Sequence, residues 1–519
     1  MYQNQRCIQE LSPAVSAASA FRILSDSADC AFLDSSLSNE LGRYSILALS
    51  PYLKLEKRAD GFLINDRLET SISFEMYLRD YLSTHVDLNL SDLPILSGAI
   101  GYFSYDYGRR LMGIPSDNEA AYEIPDAVLT FYDQFLIEDT KTKKTWLIAN
   151  GITAPAQTLI QQTLQRLEGR ISEYTESTSD SACTLSEYTE PTSDSPRPLS
   201  EDAEPTFDSL RTLSDHTEPT SDSPRPFSED TEPTPDSACP LSVRANFEKE
   251  EYKQTVQRMI DYIVEGDIYI ANMTQQLTIS CEKTPLDLFF TLRTANPSPF
   301  GGFLDYGDFQ IVCASPERFL QMKNGHVQTR PIKGTRKRGA TPEEDRAMRS
   351  ELEHSEKDKS ELLMIVDLER NDLNRVCRPG SVKVTELFTV EEYATVFHLI
   401  SNIEGDLREG LTVMDLLEAA FPGGSITGAP KYRAMEIIDE LEHGQRGLYT
   451  GSIGYLTLDN CCDFNIVIRT ALYKDGCYHL GVGGGITAES ELEFEYEETL
   501  QKAKALLEAM QKKSERTLS

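Results

Sequence analysis

Between residues 172 and 241 a 14-residue unit repeats five times, and this segment constrains the fold of the 519-residue chain more than any other. The copies begin at Ser172, Ser186, Ser200, Ser214 and Ser228; the second reads SEYTEPTSDSPRPL and the fourth SDHTEPTSDSPRPF. Each closes on one large apolar residue: Leu185, Leu199, Leu213, Phe227 or Leu241. Large apolar residues are too sparse in these copies to stack a core, so the segment reads as an extended, disordered linker or surface insertion. It holds 17 acidic and 3 basic side chains, and so accounts for 14 of the 34 net negative charges. Folded structure is therefore expected on either side of it, over residues 1–168 and 246–512.

The net charge of −34 argues against a nucleic-acid partner, which needs a basic surface. No run of 18 apolar residues predicts a membrane span, and Met1–Arg6 lacks the basic patch and apolar run of a signal peptide. Ten cysteines without a C-x-x-C pair suggest a reducing, cytoplasmic setting.

The first region shows strand-like segments at Ala31–Leu33, Tyr44–Leu49 and Val128–Ile137, with a glycine- and aromatic-rich strand at Gly98–Asp106. Apolar positions 159, 160, 164 and 167 predict a helix over 157–168. The second region opens with a helix, Glu248–Glu265, stopped by Gly266, and then alternates strands with amphipathic helices, notably Ser355–Asp367 and Glu491–Lys512. Hairpin-like strands with segregated helices predict an α+β fold.

Lys333 in Pro331-Ile332-Lys333-Gly334-Thr335 is the leading candidate nucleophile, because a neutral amine on a tight turn can attack and an ammonium cannot. Glu317 lies 16 residues earlier, and a hairpin at Asn324-Gly325 would bring the two together as acid and nucleophile. His398, in the apolar run Val396–Ile400, is a further candidate; a packed core histidine is the competing reading. Asp358 with Glu361, and Glu495 with Glu498, are carboxylate pairs three residues apart on two helices. Together they could enclose a hard divalent cation, whereas singly such pairs are ordinarily solvated faces. Gly483-Gly484-Gly485 could converge backbone N–H groups on an anion or form a plain turn. Arg469, at the end of an expected strand Phe464–Ile468, could grip a carboxylate, with Tyr449 adding a hydroxyl.

These stretches resemble the chorismate-utilising enzymes, and among them the aminodeoxychorismate synthase component I group. The matching segments are GAIGYFSYDYGRR (98–110), SPERFL (315–320), TRPIKGT (329–335), ELLMIVDLERNDL (361–373), FPGGSITGAPKYRAMEIIDELE (421–442), GSIGYL (451–456) and GGGITAESELEFEYEET (483–499). The resemblance implies a sandwich of two facing antiparallel sheets with outer helices. It also implies Mg²⁺ ligated by Glu361 and Glu498, with Asp358 and Glu495 acting through water. Glu317 would serve as acid and Lys333 as nucleophile, and Gly334, Thr335, Tyr449, Arg469, Gly483, Gly484, Gly485 and Lys502 would position chorismate. Ammonia would come from a glutamine amidotransferase partner, since no glutaminase-like cysteine motif is present. Ser35, Leu41, Gly42, Arg43, Tyr44, Pro299, Phe300 and Gly301 match the family's tryptophan pocket. The sister group, anthranilate synthase component I, typically carries Ala where this chain has Lys333. It remains the nearest alternative, and a non-catalytic tryptophan-binding regulatory subunit is the other.

Overall fold

The computed structural model describes residues 6–25, 30–39, 41–59, 61–177, 241–393 and 396–512, with side chains as far as Gly169 in the helix that ends at Ser177. Repeat residues 178–240 lie outside them. The helix Ala156–Ser177 begins where the 3.6-residue period predicts and continues into the first repeat copy, which has no proline to stop it.

Two long strands, Tyr44–Arg58 and Ala127–Asp139, form the spine of the sheet structure. They pair antiparallel from Tyr44↔Asp139 to Lys57↔Ala127, and the register shifts between Pro51 and Leu53. Two arms of antiparallel sheet leave opposite ends of this pair. The first runs through Ala31–Asp34, Phe300–Asp305, Phe309–Ser315, Thr470–Lys474 and Cys477–Ile486 to Ile270–Ser280. The second runs through Gly98–Phe103, Ser452–Thr457, Cys462–Asn465, Arg318–Lys323 and His326–Thr329 to Val396–Asp406. Val396–Asp406 also pairs with Ile332–Lys337 and Lys383–Glu392. Each arm therefore joins one strand from before the repeat, next to the spine, to strands that all come after it. The arms face one another, as the α+β sandwich expectation requires: Lys333 on the second reaches Gly485 on the first, where an added Cβ would meet its Nζ at 3.3 Å.

Helices cover the outside and carry their own start signals. Lys249–Glu265 opens with a Glu248/Glu251 capping box and ends at Gly266, whose φ of +90° suits glycine. Glu356–Asn374 starts at Ser355, whose hydroxyl accepts from the Asp358 N–H at 3.3 Å. It runs past the expected Asp367, because Glu369 and Asp372 also face inward. The last helix, Leu492–Gln511, buries Ala503, Leu506, Ala509 and Met510 against Leu288 and Leu480.

Three local expectations are corrected. The strand expected over Gly98–Asp106 ends at Phe103, because Ser104 caps a helix, Tyr105–Leu111, accepting from the Tyr107 N–H at 3.0 Å. The strand expected over Phe464–Ile468 ends at Asn465, since Ile466 N–H donates to the Glu317 carbonyl and Val467 N–H to Gly451. The glycine triplet is neither a turn nor an open nest: Gly483, Gly484 and Gly485 pair with Thr274, Met273 and Asn272 inside the strand Cys477–Ile486. No helix among the described residues is long and apolar enough to cross a membrane.

Candidate active site

Glu317 and Lys333 are brought together as the hairpin predicts. Asn324 and Gly325 turn the chain with φ of +53° and +76°, and Lys323 pairs with His326. Lys333 lies on Ile332–Lys337 next to a bulge at Gly334, whose φ of +74° and lack of a side chain admit Asp358. An added Cβ there would meet the Asp358 carboxyl carbon at 2.8 Å. Lys333 Nζ donates to the Ser425 carbonyl at 3.3 Å. Glu317 is buried, which pushes its carboxyl up from the ordinary value; Ser425 and Lys333 pull it back. A carboxyl whose proton burial favours, set beside an amine, offers a donor and a nucleophile.

The carboxylates gather on the opposite wall around the glycine strand. A Cβ on Gly484 would lie 2.5 Å from Glu498 Oε2 and 3.2 Å from Glu495 Oε2, and one on Gly485 would lie 4.0 Å from Glu361 Oε2. The glycines thus clear room for acids and for the Lys333 amine. Burial raises Glu361, with Lys333 and Lys357 opposing and Asp358 and Glu498 reinforcing. Glu495 is pushed up to about 7, chiefly by burial, with Ser490 opposing and Glu498 reinforcing. Two basic groups answer part of this charge: Lys502 Nζ donates to Glu498 Oε2 at 2.9 Å and to the Gly483 carbonyl at 2.7 Å, and Arg336 Nη2 to Asp358 Oδ2 at 3.0 Å. Among the described residues no three such ligands close into a ready metal cage. The donor set is nevertheless all carboxylate oxygen, which fits a hard divalent ion.

Arg469 sits in a left-handed conformation, φ +50°, between Asn465 and the strand Thr470–Lys474. Burial works against its charge, with Glu317 in opposition. Among the described residues its guanidinium has no hydrogen-bond or ion-pair partner, so a half-buried fork is left open for an anion. Tyr449 is held flat against Gly481, where an added Cβ would be 2.1 Å from the ring. His398 is buried, bonded through Nδ1 to Thr335 Oγ1 at 2.9 Å and pushed down to about 4 by burial and the Arg469 charge. It is a neutral imidazole at physiological pH.

The residues expected to line a tryptophan pocket also lie near one another. Ser35 Oγ lies 2.9 Å from the Tyr44 carbonyl and 3.0 Å from the Pro299 carbonyl. The Leu41 and Gly42 N–H groups share Asn39 Oδ1, Arg43 pairs with Asp139, and Phe300 lies under the Arg318 guanidinium. Gly301 pairs with Asp34. Sequence reasoning missed Ser425, which touches both reacting groups from a short 3-10 turn, and Glu369, buried behind them. The spacing Glu361, Ile365, Glu369 on one helical stripe was the available signal for the second.

Comparison with known proteins agrees with this arrangement. The pattern defining the chorismate binding enzyme family matches residues 53–508. Aminodeoxychorismate synthase component 1 of Bacillus subtilis (strain 168) is 34% identical over 485 residues, covering 92% of this chain and 91% of the relative. Anthranilate synthase component 1 of Acetivibrio thermocellus is 34% identical over 507 residues, covering 96% and 93%. The crystal structure of anthranilate synthase component I from Streptococcus pneumoniae TIGR4 superposes with a TM-score of 0.70 at 29% identity, covering 91% of this chain and 93% of that one. With a matched pattern that spans most of its length, and with acid, amine and carboxylates facing one another across the sandwich, the chain belongs to the chorismate binding enzyme family.

Proposed function

We propose that this chorismate-utilising enzyme is an aminodeoxychorismate synthase component I, converting chorismate and ammonia to 4-amino-4-deoxychorismate for 4-aminobenzoate and folate synthesis. The observation that supports this reading is the placement of the Lys333 amine between Glu317 and Glu361, against the Ser425 carbonyl. The resembling anthranilate enzymes typically have alanine there, which offers no nucleophile.

In this reading Arg469 takes a substrate carboxylate, and Tyr449, Gly334, Thr335, Gly483, Gly484, Gly485 and Lys502 shape the ring's seat. Glu361 and Glu498, with Glu495 and Asp358 around them, would hold Mg²⁺, which would neutralise the ring carboxylate. Glu317 donates its proton to the C4 hydroxyl, which departs as water while the Lys333 Nζ lone pair bonds to C2 and the ring double bond shifts. Ammonia then bonds to C4, the double bond shifts back, and the C2–N bond to Lys333 breaks with return of the amine. The nucleophile splits one hard displacement into two easier ones. His398 keeps Thr335 and the bulge in place as a neutral donor or acceptor.

The relatives' designation as component 1 supports a second subunit, which we infer is the glutamine amidotransferase that supplies ammonia. The converging Ser35, Tyr44 and Pro299 groups support a tryptophan site, testable by calorimetric titration of the amino acid. The test of the activity is replacement of Lys333 by alanine: 4-amino-4-deoxychorismate formation at saturating ammonium should fall steeply. Unchanged turnover would remove the nucleophilic role.

A further inference from the structure

Glu369 lies eight residues beyond Glu361 on the helix Glu356–Asn374, hence on the same inward stripe, and is 7% exposed. Its protonation follows from its neighbours' donors. Thr329 Oγ1 is 2.7 Å from the Phe319 carbonyl and 2.9 Å from Glu369 Oε2. A hydroxyl has one proton, and the carbonyl can only accept. With that proton on Phe319, Glu369 itself must supply the proton it shares with Thr329. The cation facing this cluster cannot substitute. Lys431 Nζ directs its three donors to Asp372 Oδ2 at 2.6 Å and to the Ala420 and Pro422 carbonyls, each at 2.7 Å. Arg375, at the end of the same helix, donates to the Ala419 carbonyl. The other groups facing Glu369 are acids, Glu317 and Asp372, which disfavour a further negative charge.

What Glu369 supports is the turn holding the reacting groups. A Cβ added to Gly424 would lie 3.2 Å from Glu369 Cγ, so the side chain packs on that backbone. The next residue, Ser425, receives Lys333 on its carbonyl and reaches Glu317 with its side chain. We propose that Glu369 is a positioning residue kept as a neutral carboxylic acid, bracing the Gly424–Ser425 turn, and that its ionisation sets the alkaline limit of turnover. Burial, reinforced by Glu317 and Asp372 and opposed by Lys431, pushes its carboxyl up to about 8. The proposal rests on chorismate turnover and not on which product forms.

The test follows chorismate consumption by the full chain against pH, with free ammonia held constant, for wild type, Glu369→Gln and Glu369→Ala. Glu369→Ala should lower kcat about tenfold or more with little change in KM. Glu369→Gln, whose amide can still donate to Thr329, should recover most of that loss. Its alkaline limb should move up from the wild-type position near 8. An unmoved limb, or a glutamine variant as impaired as the alanine variant, would overturn the proposal. If Glu369→Ala fails to fold, the infrared carbonyl band of a protonated buried carboxyl decides. The wild-type-minus-Glu369→Gln difference spectrum should show it below the limb and lose it above; a difference spectrum without the band refutes the neutral acid. Product identity, read separately by mass spectrometry, distinguishes failure here from failure of the functional reading.

Discussion

Replacing Arg469 by methionine should weaken chorismate binding while leaving the free protein at least as stable. The two effects have one cause. The guanidinium is half-buried without a hydrogen-bond or ion-pair partner among the described residues. A fully buried polar group left unsatisfied costs about 1–3 kcal/mol; a half-buried one sits at the low end, and methionine removes that cost while keeping most of the apolar stem. The left-handed backbone at φ +50° is no worse for methionine than for arginine. The free variant should therefore gain roughly 1 kcal/mol, within that range. With substrate present the balance reverses, because charge-assisted hydrogen bonds contribute about 1.5–3 kcal/mol. At 1.4 kcal/mol per factor of ten, KM for chorismate should rise by roughly 10- to 150-fold. The assay pairs steady-state kinetics on chorismate with thermal unfolding of the free chain. A variant that unfolds earlier and keeps its KM would refute the reasoning, since Arg469 would then be a structural residue with a partner.

Other outcomes follow from single contacts. Glu317→Gln should lower kcat by about 10²- to 10⁴-fold, the usual contribution of a positioned acid, and abolish the pH dependence that its raised carboxyl imposes; kinetics across pH checks both. Gly483→Ala and Gly484→Ala should part company. The first drives a Cβ to 2.3 Å from the Met273 carbonyl and should impair folding, whereas the second meets the ends of the Glu498 and Glu495 side chains and should impair Mg²⁺ binding in a folded protein, read by calorimetry. Lys431→Met leaves Asp372 buried without its cation and should cost about 3–5 kcal/mol, seen as an early denaturation midpoint. Glu369 binds its proton more tightly folded than unfolded. Its stabilisation is therefore complete below the ordinary value of 4.5 and lost as pH rises to about 8. Thermal unfolding of Glu369→Gln should show less of that decline.

The sequence made legible whatever depended on local pattern. The Asn324-Gly325 turn needs two left-handed residues, an arrangement that Asn and Gly favour, and it carries Glu317 toward Lys333. The (i, i+3) acids named the right helix faces, because helical geometry fixes which side chains share a side. The glycine triplet misled because glycine signals backbone freedom, while here it serves a strand that other groups approach closely. Arg469 was placed on a strand because apolar runs look alike whether they pair or bend; its turn is set by distant partners, Glu317 and Gly451. Ser425 left no signal, since its role comes from a short turn meeting another sheet arm. Glu369 was hidden in a run read only for its apolar positions.

The central claim concerns which bond Lys333 and Glu317 help to make, and one experiment addresses it directly. The purified chain is incubated with chorismate, Mg²⁺ and ammonium, and the products are identified by mass spectrometry. An aminated product that retains its enolpyruvyl group, lost on replacing Lys333 by alanine, is the predicted result. Anthranilate with released pyruvate would contradict the account and assign the chain to the sister reaction.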